Sequence, residues 1–164
     1  MPDNLLEIRN LRTYFHLAEG TVRAVDGVDL DIKRCKTLGI VGESGCGKSI
    51  MSLSILRLVP VPGKIESGEI LYYRSVQQDN GGGQSTVIDI ARLHSNSSEM
   101  RDIRGNQISM VFQEPMTAMS PILTIGRQIT EAIILHQKVS KAEAREIAID
   151  MLSRVRMPKP DRII

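Results

Sequence analysis

Apolar and polar residues alternate from Val28 to Lys33, with Val28, Leu30 and Ile32 separated by Asp29, Asp31 and Lys33. A period of two puts successive side chains on opposite faces, so Thr21–Ile32 is predicted as a half-exposed strand of antiparallel type. Leu5–Arg9 reads as a strand before it, with a turn around Glu19-Gly20 between them. Leu38–Val41 is a short apolar strand that opens into a glycine-rich stretch. From Lys48 to about Val59 the spacing becomes helical, with Met51, Ile55, Leu58 and Val59 on one side. VPVPG at residues 59–63 ends that helix, because proline cannot continue it. Ser67–Tyr73 is a further strand, and QQDNGGGQST at residues 77–86 is a polar surface loop. QISMVF at residues 107–112 is strand-like. Thr124 then caps a helix carrying Ile125, Ile129, Ala132, Ile133 and His136 on one face. Ser140 and Glu143 form a capping box, in which each side chain takes an amide of the other's residue. The helix it starts has Ile147, Met151, Leu152 and Val155 as its apolar face and ends near Met157-Pro158. The order is strands, glycine loop, more strands, then two adjacent helices, without an internal repeat.

Composition narrows the possibilities. The chain has 164 residues, enough for one domain with a core or part of a larger one. Its 21 basic and 19 acidic residues leave a net charge of +2, and aromatics make up only 3%. Neither a basic surface nor a base-stacking surface is indicated, so nucleic acid is not an expected partner. The two cysteines, Cys35 and Cys46, show no disulfide or metal-ligand spacing, and a reducing compartment is the default. The first residues carry no signal pattern. No apolar run approaches the roughly 20 residues that span a bilayer. Any service to a membrane would therefore be peripheral.

The chemistry concentrates in GESGCGKS, residues 42–49, which has the GxxxxGK[ST] spacing between a predicted strand and a predicted helix. Gly42 lets the chain leave the strand sharply, and Gly45 and Gly47 admit backbone angles closed to other residues. Successive amides can then turn inward as an anion nest, with the positive end of the helix dipole behind them. Lys48 supplies a mobile ammonium for terminal phosphates, and the Ser49 hydroxyl suits Mg²⁺. By average residue frequencies the motif should arise by accident in roughly one chain in two hundred. The candidate nucleotide-binding residues are Gly42, Glu43, Ser44, Gly45, Cys46, Gly47, Lys48, Ser49 and Ile50. Cys46 fills a variable position, read as an inert small side chain or an oxidisable one.

AVDGVDLDI (24–32) followed by TLGIVGESGCGKS resembles the approach to the Walker A loop in the ATP-binding subunits of ABC transporters. QISMVFQEPMTAMSPILTIGRQITEAI (107–133) is similar to the Q-loop segment of the oligopeptide, dipeptide and nickel importers, as is RLVPVPGKIESGEI (57–70). The resemblance covers essentially the whole chain. It implies an α/β fold: a P-loop NTPase core of ABC type with an N-terminal antiparallel β-subdomain and the start of a helical subdomain. Residues 1–112 would hold the β-subdomain and Walker A part, and residues 113–164 the Q-loop and first helices. It implies ATP and Mg²⁺ as cofactors. Gln113 would be the Q-loop glutamine, meeting Mg²⁺ beside Ser49 or positioning the attacking water; on its own it reads as a polar residue ending a strand. Phe15 would be the aromatic that stacks on adenine, with Tyr14 as the fallback, although an isolated aromatic at a strand end is more often core. The implied partners are a second ATPase subunit in a head-to-tail homo- or heterodimer, transmembrane permease subunits and, indirectly, a solute-binding protein. The implied location is peripheral, on the cytoplasmic face of the inner membrane.

Departures from the family pattern limit what this polypeptide is expected to do alone. It contains no LSGGQ-like signature and no apolar strand ending in a Walker B Asp and catalytic Glu. His16, His94 and His136 do not match the switch histidine. Phosphoryl transfer to water needs metal, nucleophile and charge stabilisation together, so hydrolysis by this chain alone is expected to be negligible. Loss of the Walker B strand would leave an apolar sheet edge exposed. Asp89 and Glu99 fall in loop-like segments and are not recruited as ligands. Residues 74–98 read as a solvated insertion. Cys35-Lys36 replaces a usual glycine–acid turn, and a positive φ at Cys35 would cost roughly 1 kcal/mol. The leading expectation is an ATP-binding subunit of a peptide importer, represented by its N-terminal part. The alternatives are a non-catalytic nucleotide-binding fragment without a transport role and a P-loop ATPase outside transport.

Overall fold

The computed structural model describes residues 3–76, 84–113 and 119–164. The chain packs as two units, Met1–Ile108 and Ser109–Ile164. In the first, β1 (Asn4–Leu17) and β2 (Gly20–Lys33) form a long antiparallel hairpin, both longer than their apolar patterns predict. β3 (Gly63–Val76) pairs with the other edge of β1, and β4 (Gln84–Asp89) pairs with β3. The sheet is four-stranded and antiparallel, in the order β2-β1-β3-β4.

Its inner face is set by spacing along β1. Leu6 and Ile8 are buried, the register shifts between Ile8 and Leu11, and burial resumes at Leu11 and Thr13. The bulge at Asn10, whose φ is 45°, shifts the phase of the alternation and keeps both halves of the strand facing inward. Against this face pack Met51 from α1 (Lys48–Ile55) and Met100 and Ile103 from α2 (Ser98–Asn106). Val25, Ile70, Tyr72, Ile88 and Ile90 complete the core. A buried hydroxyl pair, Thr13 Oγ1 to Ser54 Oγ at 2.9 Å, ties α1 to β1.

Several expectations are corrected here. α1 stops at Ile55, before the prolines: Arg57 turns into the left-handed region at φ 54°, and the Leu58 amide reaches back to the Leu53 carbonyl at 2.8 Å. This is a Schellman-type stop with arginine where glycine is usual, which hides it from sequence. Residues 77–83 of the expected loop lie outside the described residues, but Gln84–Thr86 begin β4. Asp89 ends that strand, and its carboxylate accepts from the Ile70 and Ala91 amides at 3.1 Å each. Glu99 lies in α2, capped by Ser97 accepting from the Met100 amide. These residues are thus a strand and a helix, not loop. Leu38–Val41 and Gln107–Phe112 form no ladder among the described residues beyond one bridge, Arg104 to Ile108. Val41 and Val111 are 96% and 95% exposed. An apolar run becomes a strand only when a neighbouring strand supplies its hydrogen bonds, and no described strand lies beside either run.

In the second unit, α3 (Ile125–Gln137) begins as expected, Thr124 Oγ1 accepting from the Arg127 amide at 3.3 Å. α4 (Lys141–Arg154) carries the expected capping box, and a short α5 (Pro160–Ile163) follows. The predicted faces shift: Ile133 packs on Ala144 and Ala148, with Ile129 and Ile147 half-buried. Ile125, Met151 and Val155 are exposed instead, because the small alanines allow the two helices their closest approach. No helix of the described residues is long and apolar enough to cross a membrane.

Candidate phosphate-binding site

The glycine loop joins the run after β2 to α1. Gly45 and Gly47 hold φ of 83° and 92°, angles that a side chain would strain. Gly47 is also pressed onto β2: a Cβ there would lie 2.1 Å from the Ala24 carbonyl oxygen. At Gly42 a Cβ would meet Cys46 Sγ at 2.7 Å. The loop is therefore closed on itself and, at Gly47, braced against the sheet at a position only glycine can fill.

Lys48 folds back over that loop. Its ammonium donates to the carbonyls of Gly42 and Glu43 at 2.6 Å each and to Cys46 Sγ at 3.2 Å. The hydrogen bond from Lys48 holds the exposed Cys46 thiol below its ordinary range. The first intrahelical bond runs from the Met51 amide to the Gly47 carbonyl at 2.9 Å. The amides of Lys48, Ser49 and Ile50 are thus left without helical acceptors at the positive end of the helix. Ser49 is exposed, and among the described residues no hydrogen bond engages its hydroxyl. Ile50 directs its side chain to the core, leaving its amide for the loop. Ser44 and Gly45 form the outer turn, and Glu43 contributes its carbonyl. Below the loop, a cleft of about 220 Å³ is lined by Val25, Val28, Ile40, Val41 and Met51.

Phe15 is half-buried near the end of β1, paired with Val22, two residues along β2 from the Ala24 that braces Gly47. A Cβ at Gly63 would touch its ring at 2.6 Å. Tyr14 is committed elsewhere: its hydroxyl donates to Asp26 at 2.5 Å, and Arg23 stacks on its ring at 5.6 Å. Gln113 is exposed and belongs to the second unit, whereas the loop belongs to the first. No cluster of three or more metal-ligating side chains occurs among the described residues. Sequence reasoning missed the support given by Ala24, Thr13 and Ser54, since contacts between distant segments leave no local pattern.

These features fit a nucleotide's phosphates and a hard cation: a nest of free amides, one displaceable ammonium and one unengaged hydroxyl. They define a P-loop nucleotide-binding class of protein, with the antiparallel β-subdomain beside it. The ABC transporter family profile matches residues 25–164, and the chain belongs to that family. It is 45% identical over 161 residues to the "Probable peptide ABC transporter ATP-binding protein y4tR" of Sinorhizobium fredii, covering 98% of this chain and 44% of that protein. It is 43% identical to the dipeptide transport ATP-binding protein DppD of Bacillus subtilis, covering 96% of this chain and 43% of that one. The chain thus spans less than half the length of these relatives. Among solved structures, the dimeric structure of MJ0796, a bacterial ABC transporter cassette, matches with a TM-score of 0.67 at 27% identity. That match covers 90% of this chain and 56% of the other.

Proposed function

We propose that the chain holds Mg-ATP at residues 42–50 and forms the N-terminal part of the energy-coupling ATPase subunit of a peptide importer. The observation that carries this is Lys48, seated on two loop carbonyls at the open amide end of α1. An incoming phosphate offers that ammonium full negative charge in place of neutral carbonyls, and charge-assisted bonds are roughly twice as strong. Lys48 would leave the carbonyls for the phosphate, the free amides would orient it, and Ser49 would face the cation. Magnesium would supply charge neutralisation of the phosphates. Gln113 would join the cation or water, and Phe15 would stack on the base. In this reading residues 1–112 are the β-subdomain and Walker A part, and residues 113–164 the Q-loop and first helices of the helical subdomain.

The names of the relatives, peptide and dipeptide transport ATP-binding proteins, support oligopeptide or dipeptide import as the process. A second ATPase subunit, membrane permease subunits and a solute-binding protein would complete the machine at the cytoplasmic face of the membrane. The exposed apolar residues Leu38, Ile40, Val41, Val111 and Phe112 favour a second reading for this polypeptide alone, namely nucleotide binding without turnover. Titration with a fluorescent ATP analogue and Mg²⁺ tests the binding. Lys48→Ala should weaken it severely, and equal affinity in a folded variant would refute the phosphate-loop assignment. Lys48-dependent phosphate release by the purified chain would exclude the second reading.

A further inference from the structure

Away from the glycine loop, past the other end of α1, a cleft of about 210 Å³ is lined by Arg57, Val59, Gly63, Lys64, Ile65 and Ser95. Its electrostatics are unbalanced. Arg57 Nε is buried without a hydrogen-bond acceptor. A second guanidinium, Arg104, lies beside it, donating to the carbonyls of Leu56 at 2.7 Å and Arg57 at 3.1 Å. Burial lowers the pKa of both arginines, and the charge of Arg57 further lowers that of Arg104. Asp89, the acid whose charge reaches Arg57, is already held by Arg92 at 3.0 Å and by two backbone amides. Lys64 pairs with Glu66 at 3.2 Å, but its side chain is 61% exposed and its ammonium has donors to spare.

Arg57 occupies a left-handed helix stop at φ 54°, a position that glycine fills without strain. The observation that points to a ligand is the Arg57 Nε, a buried donor in a half-buried side chain that lines the cleft and finds no acceptor. A cleft of this size falls below the about 300 Å³ at which organic-ligand pockets begin, which favours a small inorganic ion.

We propose that the cleft bounded by Arg57, Lys64 and Ser95 is a second anion site, separate from the glycine loop, that binds a tetrahedral oxyanion of the phosphate type. The guanidinium supplies a planar fork of donors, Lys64 a mobile charge at the mouth, and Ser95 a hydroxyl that can donate.

The test is calorimetric titration of the full chain with inorganic phosphate at constant ionic strength, in a Lys48→Ala background that disables the glycine loop. Saturable binding should persist there. Arg57→Gly should weaken it by about tenfold or more, the loss expected for a charged hydrogen-bonding partner. The same variant should raise the thermal midpoint, because glycine suits the backbone. Lys64→Ala, at an exposed position, should weaken binding with an unchanged circular dichroism spectrum, and it decides the matter if Arg57→Gly misfolds. Absence of saturable binding in the Lys48→Ala background, or undiminished binding in folded Arg57→Gly or Lys64→Ala, would overturn the proposal.

Discussion

Lys48 Nζ lies 3.2 Å from Cys46 Sγ while donating to the carbonyls of Gly42 and Glu43 at 2.6 Å each. The ammonium stabilises the thiolate, so the Cys46 thiol is lowered from its ordinary value. A lowered thiol pKa means more thiolate, and faster alkylation, at neutral pH. Cys46 should react with iodoacetamide roughly threefold faster or more in wild type than in Lys48→Met at neutral pH, by the usual dependence on thiolate fraction. The rates should converge above the ordinary thiol range, where both forms are ionised. Peptide-resolved mass spectrometry separates Cys46 from Cys35. Mg-ATP should protect Cys46, since a phosphate drawing Lys48 inward also covers the loop. Equal rates in the two proteins at neutral pH would show that Lys48 does not govern this thiol.

The buried hydroxyl pair predicts an asymmetry. Ser54 Oγ donates to the Ile50 carbonyl at 2.7 Å, so its single proton is spent there and Thr13 must donate to Ser54 at 2.9 Å. Thr13→Val removes a donor and leaves Ser54 still bonded, at an expected cost of about 1 kcal/mol. Ser54→Ala strands the Thr13 hydroxyl in a fully buried site, and should cost about 2 to 3 kcal/mol. Urea denaturation of the two variants distinguishes them. Equal losses would refute the donor assignment, and a larger loss in Thr13→Val would reverse it.

Cys35 holds φ 54° in the turn after β2, the strain anticipated from its replacing a glycine. Its side chain is exposed, so little packing offsets the strained backbone. Cys35→Gly relieves roughly 1 kcal/mol of backbone strain and loses part of it to glycine's larger unfolded-state entropy, so stability should rise by no more than about 0.5 kcal/mol. A lowered urea midpoint would place the strain elsewhere.

What the sequence made legible was whatever is encoded locally. The hairpin of β1 and β2, the glycine loop, and the caps at Thr124 and Ser140 each rest on residues within a few positions of one another. The bulge at Asn10 and the stop at Arg57 were not legible, because both use non-glycine residues at positive φ. β4 was hidden by the polar stretch before it, and only Val87 and Ile88 carried its apolar signal. At Leu38–Val41 and Gln107–Phe112 the failure runs the other way. Their β-branched content is real, but a strand is a property of a pair, and no described strand lies beside them. The glycine requirement was foreseen from the motif, while its cause at Gly47, the Ala24 carbonyl on β2, is a contact across 23 positions that only the fold reveals.

The capping box ties a pH dependence to one helix. The Glu143 carboxylate accepts from the Ser140 hydroxyl at 2.7 Å and the Ser140 amide at 2.9 Å, while Ser140 Oγ accepts from the Glu143 amide at 3.3 Å. These bonds, the hydroxyl's first, hold the Glu143 carboxyl below its ordinary value. A depressed carboxyl stabilises the folded helix above its unfolded-state pKa, and that contribution is lost as pH falls through the folded value. Near neutrality, Ser140→Ala should cost about 1 kcal/mol, read as lost protection of α4 amides in hydrogen exchange. It should also raise the Glu143 titration midpoint in NMR, since the hydroxyl donor is gone. The gap in protection between wild type and variant should narrow in acid as Glu143 protonates in both. A gap that stays constant from neutrality into acid would mean that the cap works through Ser140 alone, with the carboxylate a bystander.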